Sequence, residues 1–429
     1  MRLIDKTKKF FITEKGNLGR KLLKIVLAAP FWVISCALVL LGFGIGRSVY
    51  LKDTRLDHTV AEMWQKGSDT GFRHMSVYAS GIRAQGDTSP MTYVEGGKSI
   101  HRADLSLMRQ ALQATSNTGA GSNVRFKEGQ LRGWEDCYSS TVKTTVSTMK
   151  HNKSESERDL TADVELVAVG GNYKAFHPFR YLSGGFLPET PVDTYQIVIN
   201  DVLAWKFYRS YNVTGNTILI GGQMFTVIGV VEAGTSKVAE LAGEQEPRAF
   251  IYFGALDTIY GSGSAAAAAP SDPDMIDAGT GPGTGTGSSD YAIQCYEAML
   301  PELVKGVGVS DFKNALPSYS MTKPLVYVSN DTGRFSLARV LDTMFPLGET
   351  DKERSGYEFP YWERANQITE VRLFYNYVII ALGIVLLLIG VIMAALKIRA
   401  IKAVAPGELD AAETDESMNE EEKEPALKD

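Results

Sequence analysis

The sequence predicts an α+β extracytoplasmic domain of two lobes flanked by two transmembrane α-helices. Three observations carry that expectation. Two long charge-free runs lie near the two ends of the chain, and basic residues gather on the same side of both. Between the runs, short apolar segments alternate between strand and helix periodicity.

Composition narrows the function classes. Of 429 residues, 44% are hydrophobic and 22% charged, so the chain on average is globular and its membrane character is local. A net charge of −6 argues against nucleic acid as a partner. Three cysteines exclude a disulfide scaffold and the multi-cysteine zinc and iron–sulfur patterns. The five histidines, His58, His74, His101, His151 and His177, never fall in a H-E-x-x-H or similar spacing, so no metal or other cofactor is expected.

The first charge-free run, Ile25 to Gly46, holds 22 residues between Lys24 and Arg47. At about 1.5 Å per residue it makes roughly 33 Å of helix, enough to cross a hydrocarbon core of about 30 Å. Pro30 falls one turn in, where a missing amide hydrogen costs little. A cleaved signal peptide fits poorly, because a long basic segment precedes the run and no A-x-A site follows it. The second run, Leu373 to Leu396, holds 24 residues between Arg372 and Lys397, with Tyr375 and Tyr377 as an aromatic belt at its start.

Residues 1–24 carry eight Lys/Arg against two acids, and Lys397, Arg399 and Lys402 follow the second run. The positive-inside rule then puts both termini in the cytoplasm, residues 47–372 outside, and the chain in the cell (inner, cytoplasmic) membrane. Residues 1–24 read either as an amphipathic segment on the lipid bilayer surface or as a solvated basic tail. Residues 397–429 read as an acidic disordered tail. From Pro406 on, ten acids stand against two lysines with no aromatic residue, a composition that cannot bury a core.

Within 47–372, residues 47–70 read as a helical stalk, with Leu51, Leu56, Val60 and Met63 at helical spacing. His74–Gly81 reads as a strand. Ala103–Thr115 reads as an amphipathic helix with Leu105, Met108, Ala111 and Leu112 on one face. Lys143–Met149 lies in a β-rich stretch, and the alternating Val and Leu of Thr161–Gly171 mark a strand. Gln196–Asn200 reads as a strand, with Asn200 or Asp201 capping a helix to Tyr211. Asn216–Ile220 and Gln223–Glu232 form a hairpin about Gly221-Gly222, a pair suited to positive φ. Ala249–Gly261 reads as a strand and short helix, and residues 261–289, rich in Gly, Ala and Pro, as a flexible loop. Asp290–Pro301 is a strand. Gly308–Leu316, Arg334–Met344 and Tyr361–Arg372 are helices, the last running on into the second span.

Catalytic signatures are missing from the sequence. No G-x-S-x-G elbow or Walker A loop occurs, so no residue is assigned catalysis and the chain is expected not to be an enzyme. Trp134, Trp205 and Phe225 read as core, and Glu297, Glu302, Arg334 and Arg364 as solvated faces. Cys36 reads as an apolar residue of the first span. Cys137 and Cys295 lie outside the membrane, where oxidation is permitted, and are either a disulfide or two thiols. Gly383 and Gly390, seven residues apart on one helix face, are candidates for close packing against another membrane helix.

At Phe179–Gly234 the sequence resembles the periplasmic core domain of MacB/FtsX-type ABC transporter permeases. The resemblance rests on Gly185-Phe186, Ile197–Asn200, Ala204, Gly215–Ile220 and Phe225–Val230, followed by Ala249–Tyr260. It implies a MacB-like periplasmic core domain over 47–372, inserted between the first and second membrane helices. Family members of the common type have four such helices, so the chain is expected to be a half-permease. Its implied partners are a separate ABC ATPase subunit and a further permease subunit supplying more membrane helices. The implied function is a non-catalytic subunit of an export, extraction or mechanotransmission complex. The alternative is a two-span membrane-anchored adaptor or binding module that uses the same fold without ATP-driven transport.

Overall fold

The structure is a computed structural model. It describes residues 29–55, 59–66, 71–79, 100, 102–115, 134–148, 161–260, 291–302, 304–316, 326–346, 348, 354 and 357–421. The expected basic segment 1–24 and loop 261–289 lie outside the described residues.

Along the chain, α1 (Ala29–Asp53) is followed by α2 (Val60–Gln65), β1 (Gly71–Ala79), α3 (Arg102–Thr115), β2 (Glu135–Thr148) and β3 (Thr161–Gly171). Next come α4 (Tyr173–Phe176), β4 (Tyr181–Gly184), β5 (Gln196–Asn200), α5 (Asp201–Tyr208), β6 (Thr217–Ile220) and β7 (Gln223–Val231). The chain continues through α6 (Lys237–Ala242), β8 (Arg248–Tyr252), α7 (Ala255–Tyr260), β9 (Cys295–Glu302) and α8 (Val307–Ala315). It closes with β10 (Val326–Asn330), α9 (Leu337–Met344) and the long α10 (Tyr361–Glu421).

Leu51–Leu373 forms one unit, built on a single 10-stranded sheet in the order β10-β1-β9-β2-β3-β8-β5-β7-β4, with β6 pairing β2 and β7. The expected α+β domain is thus built on one sheet that runs throughout. Its unifying pairs join distant segments, β1 with β9 and β10 and β2 with β9, and no local sequence pattern announces them. Strand alternation sends Met75, Val77, Leu166, Ala168 and Ala298 to one face, covered by Leu105, Met108 and Leu112 of α3, Leu203 and Phe207 of α5, and Phe312 of α8. Tyr78, Cys137, Val167, Cys295 and Met299 go to the other, covered by Val60 and Trp64 of α2, Tyr173 and Phe176 of α4, and Trp362 of α10.

Local signals act as their chemistry demands. The Asn200 side chain accepts from Leu203 N at 3.0 Å and caps α5. Gly221 and Gly222 turn the β6–β7 hairpin with φ of 56° and 84°, which a residue with a Cβ resists. Trp205, expected in the core, is 46% exposed and packs on Tyr211 at the surface.

The second unit, Met1–Tyr50 with Phe374–Asp429, is described as α1 and the remainder of α10, both long and apolar enough to cross a membrane. The glycines serve this helix pair. A Cβ on Gly383 would lie 3.0 Å from Leu41 Cγ, and one on Gly390 2.7 Å from Ile34 Cγ1. The membrane helix they admit is the chain's own α1. Asn376 Nδ2 donates to Gly44 O at 2.6 Å and to Ser48 Oγ at 2.5 Å, tying the same two helices by hydrogen bonds. α10 continues to Glu421, through residues expected to be disordered. Ala and Glu dominate that stretch, and such residues favour helical backbone without needing a core.

Candidate functional site

The chemistry-bearing residues converge on Glu297, in the middle of β9. Register places it directly opposite Ser76 of β1 and Cys137 of β2, so three strands deliver their polar side chains to one point. His74, two residues before Ser76, shares that face, and the turn after α4 brings in His177. His177 Nε2 is 2.6 Å from Glu297 Oε2, and His74 Nε2 is 3.2 Å from Oε1. Ser76 Oγ donates to Oε1 at 3.3 Å and Cys137 Sγ to Oε2 at 3.5 Å. The His177 ring lies 4.3 Å from that of Tyr173 and 4.6 Å from that of Trp362. Burial raises the Glu297 carboxyl, but the His177 and His74 imidazoles outweigh it and hold the group well below the usual carboxylate range.

A second set of charges joins this point to α10. Arg334 Nη1 donates to Asp331 Oδ1 at 2.9 Å and to Glu363 Oε2 at 2.6 Å, Nη2 to Glu363 Oε1 at 3.0 Å, and Nε to Glu370 Oε1 at 2.9 Å. Arg354 Nη2 donates to the other oxygen of Glu370 at 2.9 Å, and Tyr78 OH to Glu363 at 3.2 Å. Burial disfavours the Arg334 charge, but Glu363, Glu370 and Asp331 more than offset that and raise the guanidinium well above its usual range. The first turn of α10 is fixed as well. The Arg248 guanidinium lies 3.5 Å from the centre of the Tyr361 ring while pairing with Glu165, and Arg364 Nε donates to Ala242 O at 3.2 Å.

Sequence reasoning took Glu297 and Arg334 for solvated faces, and the structure buries both almost completely. A signal was available for Glu297. It stands in Cys295–Leu300, a run otherwise apolar at every position, so either strand face puts it inside. Arg334 offered little, because beyond Asp331, three residues earlier, its partners Glu363 and Glu370 come from a distant helix. Cys137 and Cys295 come close but are free thiols. Of the two alternatives the sequence left open, a disulfide or two thiols, register accounts for the second. Cys137 is opposite Glu297 and Cys295 opposite Ser139, a diagonal offset of about 7–8 Å between Cα atoms, beyond the usual span of a disulfide.

Comparison with known proteins gives this architecture a family. The profile of the MacB-like periplasmic core domain matches residues 33–278, more than half of the chain, and the chain belongs to that family. It is a membrane protein with an extracytoplasmic segment and a component of an ABC-type system, its domain being of the non-catalytic kind found in ABC transporter permeases. Permeases of this type work with ABC ATPase partners. Among solved structures, the periplasmic region of MacB from Actinobacillus actinomycetemcomitans is 12% identical, covering 62% of this chain and 92% of that one, with a TM-score of 0.35. The extracellular domain of the noncanonic ABC-type transporter YknZ from Gram-positive bacteria is 14% identical, covering 60% and 100%, with a TM-score of 0.34. No curated protein sequence matches.

Proposed function

We propose that this chain is a non-catalytic membrane subunit that relays ATPase-driven motion to, or guides substrate through, an extracytoplasmic domain. A separate ABC ATPase supplies the energy, and a further permease subunit supplies additional membrane helices. Residues 25–46 and 373–396 span the cell membrane, both termini are cytoplasmic, and residues 47–372 lie outside, as the flanking basic residues favour. The observation that carries the reading is α10. One helix bears Glu363 and Glu370, which Arg334, Arg354 and Tyr78 of the ectodomain grip, and then the charge-free run that crosses the membrane. Discrete packed arrangements, such as a buried ion cluster, are the kind of element that can switch between two states when a helix moves.

The test uses the chain assembled with its ATPase in lipid nanodiscs and spin labels on Met224 and Leu107, both exposed ectodomain positions. ATP binding is expected to change the label environment or separation. Arg334→Gln is expected to abolish that change while ATPase association persists. An ectodomain indifferent to nucleotide in the assembled complex would favour the adaptor reading instead.

A further inference from the structure

We propose that His74, Glu297 and Asp331, with Ser76 bridging the two acids, form a binding site for one divalent transition-metal ion of the zinc or manganese class. His74, Glu297 and Asp331 each bring a ligand atom within 4.8 Å of the other two, and all three line a cavity of about 10 Å³. That is room for one water-sized occupant. Ser76 Oγ stands between the acids, 3.3 Å from Glu297 Oε1 and hydrogen-bonded to Asp331 Oδ2. One hydroxyl carries one proton, so when Ser76 donates to Asp331, Glu297 Oε1 is left to His74 Nε2 at 3.2 Å. A cation at that point would take oxygens of both acids and the His74 nitrogen together.

The surroundings are built as a metal site requires. Ligating carboxylates are normally held through their outer oxygens. Here the outer oxygen of Glu297 takes His177 Nε2 at 2.6 Å, and Asp331 Oδ1 accepts from Arg334 Nη1 at 2.9 Å and Ser329 Oγ at 2.8 Å. Charge points the same way. The cluster sets four buried acids, Glu297, Asp331, Glu363 and Glu370, against two guanidiniums, Arg334 and Arg354, and two imidazoles, His74 and His177. Buried charge is tolerated when matched, and the two further positive charges come from a dication or from protons on the imidazoles, which the test below separates. One imidazole and two carboxylates suit borderline ions such as Zn²⁺ or Mn²⁺. A second triad, Cys137, His177 and Glu297, also converges within 4.8 Å. Cys137 does not line the cavity, so that triad acts here as outer support.

The test is metal analysis of the full-length protein purified in detergent without chelator. Close to one zinc or manganese ion per chain is expected. Stripping with a chelator should lower Tm, and adding back Zn²⁺ or Mn²⁺ should restore it. His74→Gln, checked for folding by circular dichroism, should weaken metal binding about 10–100-fold. A wild-type chain that is metal-free as purified, with a Tm indifferent to both ions, would overturn the proposal. So would a Tm that follows pH through the histidine range and ignores both cations, because the imidazoles would then carry the balancing charge as protons.

Discussion

Arg334 makes four charged hydrogen bonds from a side chain only 3% exposed, and three carboxylates depend on it. Removing one member of a buried ion pair strands its partners and costs on the order of 3–5 kcal/mol. Arg334→Met is therefore expected to destabilise the ectodomain by about that amount in urea unfolding. A loss comparable to that of an exposed ion pair, below about 1 kcal/mol, would mean the cluster is not closed to water. The cysteines give a second check. Burial, reinforced by the Glu297 carboxylate, pushes the Cys137 thiol well above its ordinary range, and burial does the same for Cys295. Both should resist iodoacetamide in the native protein and react on denaturation, each as a free thiol. Recovery of a Cys137–Cys295 disulfide peptide from the native chain would contradict the register that separates them.

At the level of elements, the packing of α1 on α10 carries the most direct expectation. Gly383 faces Leu41, Gly390 faces Ile34, and Gly44 faces Ile380. Small residues let two helix backbones approach where lipid provides no hydrophobic drive between them. Leu41→Cys with Gly383→Cys, in a Cys36→Ser background, should cross-link within one chain and run as a monomer on a denaturing gel. Cross-linked dimers would instead assign these glycines to contact with a partner's helix. Asn376→Leu removes two hydrogen bonds from the same pair and should weaken it by roughly 0.6–1.7 kcal/mol. A cross-linking yield unchanged by that substitution would show that glycine packing alone holds α1 to α10.

For the whole molecule, what was legible in the sequence was what is local. Charge-free runs, strand alternation in Thr161–Gly171, the Asn200 cap and the Gly221-Gly222 turn each declare themselves within a dozen residues. The candidate site does not. His74 and Glu297 are 223 residues apart, and Arg334 reaches Glu370 across 36. Glu297 alone is betrayed by its apolar strand; His74, Arg334 and Glu370 each look like ordinary surface charges, and only the sheet order brings them together. The strand order was hidden for the same reason, since β9 returns to pair between β1 and β2 after the chain has built six other strands.

The central claim is that this chain works as the non-catalytic membrane part of an ATP-driven complex. Its most direct test is to purify the tagged full-length chain from its native membrane under mild detergent, identify what accompanies it, and assay ATP hydrolysis. The account predicts an ABC ATPase in fixed ratio to the chain, hydrolysis by the complex, and none by the chain once that subunit is removed. A chain that hydrolyses ATP by itself, or one recovered without any ABC ATPase, would contradict it.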